Sequence, residues 1–272
     1  MTASMVERHN VTVLGATDGP VLMFAHGFGT DQKMWDRILP FLTEQYRLVL
    51  FDHMGSGGSD QAFYDSSRYS GLDAYVSDLL EICAELDLTE VTLIGHSVGA
   101  MMAITAATAD RQSRIARLVL VTASPSYMNH PDDGYFGGYS SHELDELFES
   151  LDANYLVWAE AMAPVFMNVP SSPHLGQELQ GSFRRINPKV ARDFARVAFL
   201  SDVRHLLSNV ELPVLILQST DDVVTPEHIG TYLQDRLPVS VLVRLSATGH
   251  FPQTSAPEET VNALLDYLGA PA

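Results

Sequence analysis

The 272-residue chain has a single cysteine, Cys83, and only two lysines, Lys33 and Lys189. One cysteine excludes an intrachain disulfide. It lies in Leu79-Leu80-Glu81-Ile82-Cys83, on the apolar side of an expected helix, and reads as an inert core thiol. Basic residues number 16 against 34 acidic ones, a formal net charge of −18. That surplus repels phosphate backbones and anionic headgroups, so neither nucleic acid nor a membrane surface is an expected partner. No apolar run approaches the roughly 18 residues of a membrane-spanning helix. Residues 1–19 show no basic segment followed by an apolar one, so no secretory signal is read there and a cytoplasmic protein is expected. His, Cys, Asp and Glu nowhere fall at metal-ligand spacing. Neither a Gly-Lys-Ser/Thr phosphate loop nor a G-x-G-x-x-G turn opening a helix from the first strand is found. No metal and no cofactor are therefore expected.

What the chain does have is apolar substance: 46% hydrophobic against 18% charged residues, enough for a sizeable core in one domain with room for an inserted cap. Val11–Leu14, Val21–Ala25, Arg47–Phe51, Val91–Ile94, Ile115–Val121, Leu212–Gln218 and Val239–Leu245 read as strands. Met34–Leu42, Leu72–Leu86, the run from Ala100, Pro226–Leu237 and Pro257–Leu268 read as helices. This alternation predicts an α/β fold with a mostly parallel sheet and helices on both faces. One stretch breaks it. Residues 127–209 carry four helical patterns and no strand: Ser141–Leu151, Asn154–Phe166, Gly176–Phe183 and Pro188–Phe199. The first is expected to start with a capping box at Ser141. We read 127–209 as a helical cap over the C-terminal edge of the sheet, where open α/β sheets bind ligands, and 1–126 with 210–272 as the core.

Gly95-His96-Ser97-Val98-Gly99 carries the chemistry. A β-rich run leads in and a helix-prone run leads out, the context in which G-x-S-x-G becomes a nucleophile elbow with Ser97 at its tip. The flanking glycines fit, because strand and helix backbones pass close there. A serine nucleophile needs a base, an orienting acid and oxyanion donors. His250, on the loop after the last strand, is the expected base. Asp221 and Asp222 compete as the acid. Asp222 is preferred, since related folds place it four residues ahead of a helix-opening proline, here Pro226. The oxyanion donors are expected from the backbone N–H groups of Val98 and Phe28, the latter in His26-Gly27-Phe28-Gly29. His26 reads as a brace for that loop and His96 as a filler pointing away from the chemistry. Asp52-His53-Met54-Gly55-Ser56-Gly57-Gly58 reads as a turn shaping the sheet edge. Phe28 and the cap aromatics Trp158, Phe166, Phe194 and Phe199 are candidates to line an apolar pocket.

These stretches together resemble the α/β-hydrolase fold family over nearly the whole chain. More narrowly, the chain resembles the branch that contains the bacterial stress-pathway regulator RsbQ and the plant strigolactone and karrikin receptors. The resemblance rests on Phe24-Ala25-His26-Gly27-Phe28-Gly29-Thr30-Asp31-Gln32, Phe51-Asp52 through Gly57, Gly95 through Ala100, Pro125-Ser126-Tyr127, Ala198 through Asp202, and Leu215 through Asp222. His26 departs from it, since RsbQ has proline there. The resemblance implies a Ser97, Asp222, His250 triad and slow hydrolysis of a small, largely apolar ester or lactone. It also implies signalling through a protein partner, a PAS-domain phosphatase in the RsbQ case. Two alternatives stay open: a ligand-sensing regulator with slow turnover, and a carbon–carbon bond hydrolase of aromatic degradation. A ligand carrier with a vestigial site fits poorly with an intact set of triad residues.

Overall fold

The computed structural model describes residues 3–269. Short helix α1 (Met5–Arg8) leads into strands β1 (Thr12–Gly15), β2 (Val21–Ala25) and β3 (Arg47–Leu50). Then come α2 (Leu72–Glu85), β4 (Val91–His96), α3 (Val98–Ala109) and β5 (Ile115–Val121). Three long helices follow: α4 (Ser141–Met167), α5 (Pro173–Arg185) and α6 (Pro188–Leu200). The chain returns through β6 (Val214–Thr220), α7 (His228–Arg236), β7 (Ser240–Thr248), α8 (Pro252–Ser255) and α9 (Pro257–Gly269). The seven-stranded sheet runs β1-β3-β2-β4-β5-β6-β7. Only β1 is antiparallel to its neighbour. Every residue of β4 is buried, as a central parallel strand covered on both faces must be. Alternate residues serve opposite layers. Met23 and Leu93 join the core under α2 and α3; Phe24 and Ile94 join the one that holds Trp35, Val261 and Leu264.

From β2 the chain runs outward to β3; from β4 it runs the other way to β5. The crevice between their C-terminal ends is therefore a topological switch point, where such sheets place their ligands. His26–Gly29 leave β2 on one side of it and Ser97 leaves β4 on the other. Ala25 pairs with Gly95 across the ladder, so the two loops emerge side by side.

The expected helix over 34–42 is not formed. Two 3₁₀ turns, Gln32–Trp35 and Leu39–Phe41, take its place. Pro40 has no N–H to give and would crowd the carbonyl four residues back. The cap differs in detail as well. Its capping box is Ser140 with Glu143, not Ser141. The first two expected helices form one element broken at Asn154, whose φ of −162° and ψ of 94° are extended. The Asn154 side chain accepts the N–H of Val157 at 3.2 Å and so recaps the second half. The third helix starts earlier, at Pro173, where a proline at N1 loses nothing. Two ion pairs tie α5 to the loop beyond β2: Arg185 to Asp31 at 2.9 Å and Arg37 to Glu178 at 2.8 Å. The Asp52 stretch is a turn, as read. The buried Asp52 carboxylate accepts the N–H groups of Gln32 and Gly58 at 2.8 Å each.

Two glycines test how tightly this frame is drawn. A Cβ on Gly99 would lie 2.3 Å from the Ala25 carbonyl oxygen, against rigid backbone. Gly181, inside α5, has nothing nearer than an Arg185 guanidinium nitrogen at 4.0 Å. Gly99→Ala is expected to cost about 3 kcal/mol or more. Gly181→Ala is expected to stabilise by about 0.5–1 kcal/mol through lost unfolded-state entropy. Urea unfolding of both variants checks the opposite signs.

Candidate active site

Ser97 sits at φ 57°, ψ −121°, a left-handed conformation that a non-glycine residue keeps only when its surroundings impose it. They do. A Cβ on Gly95 would stand 2.4 Å from the Gly99 carbonyl oxygen, so β4 and α3 touch backbone to backbone at the turn. The Ser97 N–H donates to the Val121 carbonyl at 3.1 Å. The side chain is thereby turned up into the switch-point crevice.

Of the sequence-predicted residues, Asp222 and His250 are brought into direct contact. His250 Nδ1 donates to Asp222 Oδ2 at 2.7 Å, and both side chains are buried. The other carboxylate oxygen, Oδ1, accepts the N–H groups of Val224 at 2.8 Å and Thr225 at 3.1 Å. Asp222 is thus fixed at both ends, whereas Asp221 is exposed and in a turn at φ 47°. A carboxylate only accepts, so Nδ1 carries the proton and Nε2 is the free lone pair. That Nε2 is buried and meets no partner among the described residues. The His250 backbone is clamped too. Its N–H donates to the Phe166 carbonyl at 2.8 Å and its carbonyl accepts His96 Nε2 at 2.7 Å.

Ser97 Oγ bonds not to His250 but to the phenol of Tyr127, at 2.8 Å. The motifs assign Tyr127 no role in the chemistry. The signal was present: Tyr127 follows β5, the neighbour of β4, so it falls on the same sheet edge. Val98 follows Ser97 directly, and the loop that carries Phe28 lies beside it. A Cβ on Gly27 would come within 3.3 Å of Ser97 Cβ, so the Phe28 loop runs directly past the serine. Among the described residues neither the Phe28 nor the Val98 N–H has a hydrogen-bond partner.

Ser97, His250 and Tyr127 share a cavity of about 20 Å³ with Phe28, Phe166, Phe183, Phe199, Val224 and Phe251. That is room for about one water. Phe28, Phe166 and Phe199, three of the five candidate lining aromatics, face this cavity. Trp158 and Phe194 do not. Their rings pack on Phe28, at 6.1 and 6.0 Å between centroids, and Trp158 also packs on Phe166 and Phe183. Phe183 takes the lining place instead. A Cβ on Gly29 would strike its ring at 2.0 Å. A larger groove of about 570 Å³ lies outside, between α5 and the 3₁₀ turn at Gln32, with Phe251 common to both spaces.

The expectation for His96 needs correction. Its ring is wholly buried against that of His250, 4.9 Å between centroids, rather than pointing away. Burial drives its pKa well below the ordinary histidine value, reinforced by His250. His26 is a brace, as read. Its Nε2 accepts the His53 N–H at 2.9 Å, while its Nδ1 donates to the Gly27 carbonyl at 2.9 Å. His53 Nε2 donates back to the His26 carbonyl at 2.9 Å. Burial lowers the pKa of His26 and lowers that of His53 further. Cys83 is a buried core thiol, pushed up to about 12 by burial.

The fold and site define an α/β-hydrolase. The chain belongs to the alpha/beta hydrolase fold family, matched over residues 20–257. It is 38% identical to a probable esterase, D14L, of Oryza sativa subsp. japonica, over 96% of each chain. It is 36% identical to the karrikin insensitive 2 receptor CA of Petunia hybrida, again over 96% of each. A solved hydrolase from Oleispira antarctica superposes with a TM-score of 0.93 at 37% identity, covering 98% of this chain and 97% of that one. A receptor of the plant branch expected from the motifs is thus among the chain's relatives. No helix among the described residues is long and apolar enough to cross a membrane.

The three buried rings have a consequence for acid stability. His26, His53 and His96 all titrate below their unfolded value of 6.5. Below pH 6.5 the unfolded chain binds protons that the folded chain refuses, so stability falls as pH falls, by up to about 1.4 kcal/mol per ring and pH unit. Urea unfolding at pH 7.0 and 5.5 is expected to show this loss. His53→Asn keeps an amide donor without the titration and is expected to reduce the loss. Equal losses in wild type and variant would count against it.

Proposed function

We propose that the protein is a serine hydrolase that cleaves a small, largely apolar ester or lactone through Ser97, His250 and Asp222. The observation that carries the reading is the 2.7 Å bond from His250 Nδ1 to a doubly anchored Asp222, with Nε2 left free in the cavity that holds Ser97. In this reading His250 Nε2 takes the Ser97 proton as Oγ attacks the carbonyl carbon. The displaced electron pair collects on the carbonyl oxygen, held by the N–H groups of Phe28 and Val98, each worth on the order of 3 kcal/mol in the transition state. Collapse breaks the C–O bond, and the leaving oxygen takes the proton back from His250. In a lactone that oxygen stays tethered to the acyl group. Water then repeats the sequence on the acyl-enzyme. Asp222 keeps the imidazole in the tautomer that leaves Nε2 unprotonated. The phenyl lining offers charged groups no compensation for lost water, which supports an apolar substrate. The chain's esterase and hydrolase relatives support ester cleavage.

A second reading is a ligand-sensing regulator with slow turnover that acts through a protein partner. Its specific support is the 36% identity to a named karrikin insensitive 2 receptor along 96% of both chains. Steady-state turnover of p-nitrophenyl acetate and of a lactone panel separates the two. Turnover with catalytic turnover numbers favours the hydrolase, and a single slow acylation with a ligand-induced melting shift favours the sensor.

Ser97→Ala is expected to abolish p-nitrophenyl ester hydrolysis, by several orders of magnitude in kcat, with the melting temperature retained. Keeping more than about a tenth of wild-type turnover would remove Ser97 as nucleophile. Asp222→Asn favours the wrong histidine tautomer and is expected to cost up to about 10⁴-fold. Asp221→Asn is expected to cost little. Steady-state kinetics of the pair decides the assignment, and equal losses would overturn it.

A further inference from the structure

Three observations converge on Tyr127. Its phenol oxygen lies 2.8 Å from Ser97 Oγ, and the ring is almost wholly buried. His250 Nε2, the atom that would accept the serine proton, has no partner among the described residues. Tyr127 itself is held in place: its carbonyl accepts the Tyr139 N–H at 3.1 Å, and its ring packs on Phe199 at 5.3 Å. If Ser97 donates, its proton is committed to the phenol; if Tyr127 donates, the Ser97 hydroxyl still makes no bond to His250 Nε2, which has no partner among the described residues. Burial keeps the phenol protonated throughout the working pH range, so it offers the serine a neutral partner and not a base.

We propose that Tyr127 is a positioning residue that parks Ser97 off its base between turnovers, so that acylation begins by breaking the Tyr127–Ser97 hydrogen bond. This rests on Ser97 being the nucleophile. It adds a resting state to that reading: the nucleophile is held unactivated until a carbonyl enters the cavity and Oγ turns to His250. Parking acts before acylation only. In the acyl-enzyme Oγ is an ester oxygen already turned away, so deacylation is untouched.

The test uses diethyl p-nitrophenyl phosphate, with which Ser97 Oγ forms a bond to phosphorus. The bond to the aryl oxygen breaks, p-nitrophenolate leaves with the electron pair, and the serine proton passes to His250. Tyr127→Phe removes only the phenol oxygen. It is expected to raise the second-order phosphorylation rate constant about 2- to 10-fold, the factor that one neutral hydrogen bond is worth. With p-nitrophenyl acetate it is expected to speed the acylation burst and leave deacylation unchanged. A merely structural role would slow both steps. An unchanged or slower phosphorylation rate in a folded variant overturns the proposal. A crystal structure of the wild-type diethylphosphoryl adduct tests it without a variant. Ser97 Oγ is expected beyond about 3.5 Å from the phenol, and an adduct with that hydrogen bond intact overturns it. Ser97→Ala keeps the two readings apart. If that variant still takes the phosphoryl group by mass spectrometry, the nucleophile assignment falls and parking falls with it. If it takes none and Tyr127→Phe is slower, parking alone falls.

Discussion

The backbone contact between Gly95 and Gly99 is the constraint on which the rest of the site depends. With no Cβ on Gly95, β4 and α3 close so far that a side chain there would stand 2.4 Å from the Gly99 carbonyl oxygen. The turn between them then has no choice but the left-handed conformation at Ser97. Strain of this kind costs on the order of 1–3 kcal/mol and persists because the sheet over-determines it. Its return is directional: a hydroxyl projecting from a rigid strand end, on the edge where the β2 and β4 loops diverge. Gly99 also presses on the Ala25 and His26 carbonyls, so the same contact sets the distance from Ser97 to the Phe28 loop.

The cap is joined to this edge by the backbone as well as by apolar packing. The last turn of α4 supplies the Phe166 carbonyl to the His250 N–H, and the Met167 carbonyl crowds Gly249, which has a φ of 78°. The position of the imidazole therefore depends on where α4 ends. On the opposite side, α5 is clasped by Arg185–Asp31 and Arg37–Glu178. These pairs are half-exposed on the arginine side and contribute modestly, on the order of 1 kcal/mol or less each. The apolar contacts of Phe183 carry more of the closure, because the ring fills the space over Gly29 that no other residue type would leave open.

Much of this was legible in the sequence, for reasons that can be named. The elbow, the acid register and the histidine loop depend on local chain order, and a glycine or proline at a fixed offset reports them. The strand-free interval at 127–209 announced helices because nothing in it alternates with period two. What was not legible depends on packing between segments far apart in sequence. Trp158 and Phe194 have the same aromatic signature as Phe166 and Phe199. Which of them faces Ser97 is decided by how α4 and α6 turn against Phe28, and composition holds no record of that. His96 departs from expectation because a filler position in the elbow says nothing about a loop 154 residues away. The helix over 34–42 fails for a local reason, Pro40, which apolar periodicity does not report.

The contrast between a cavity of about 20 Å³ at Ser97 and a groove of about 570 Å³ outside it locates the site's selectivity in ring packing. Phe28 touches Trp158, Phe183, Phe194 and Phe199 at 6.0 to 6.3 Å between centroids. Such pairs are worth about 0.5–1.5 kcal/mol each beyond the area they bury. A ligand that enters must replace several of them with contacts of its own or leave a void. The cavity has room for about one water, whose partners would be the polar atoms of Ser97, Tyr127 and His250 and not the phenyl walls. Burial among these rings strengthens the hydrogen bonds inside, among them those of the Asp222–His250 pair. The aromatic cluster thus acts on the chemistry without touching it. The tightness that limits what reaches Ser97 also keeps the dielectric low around the imidazole that would activate it.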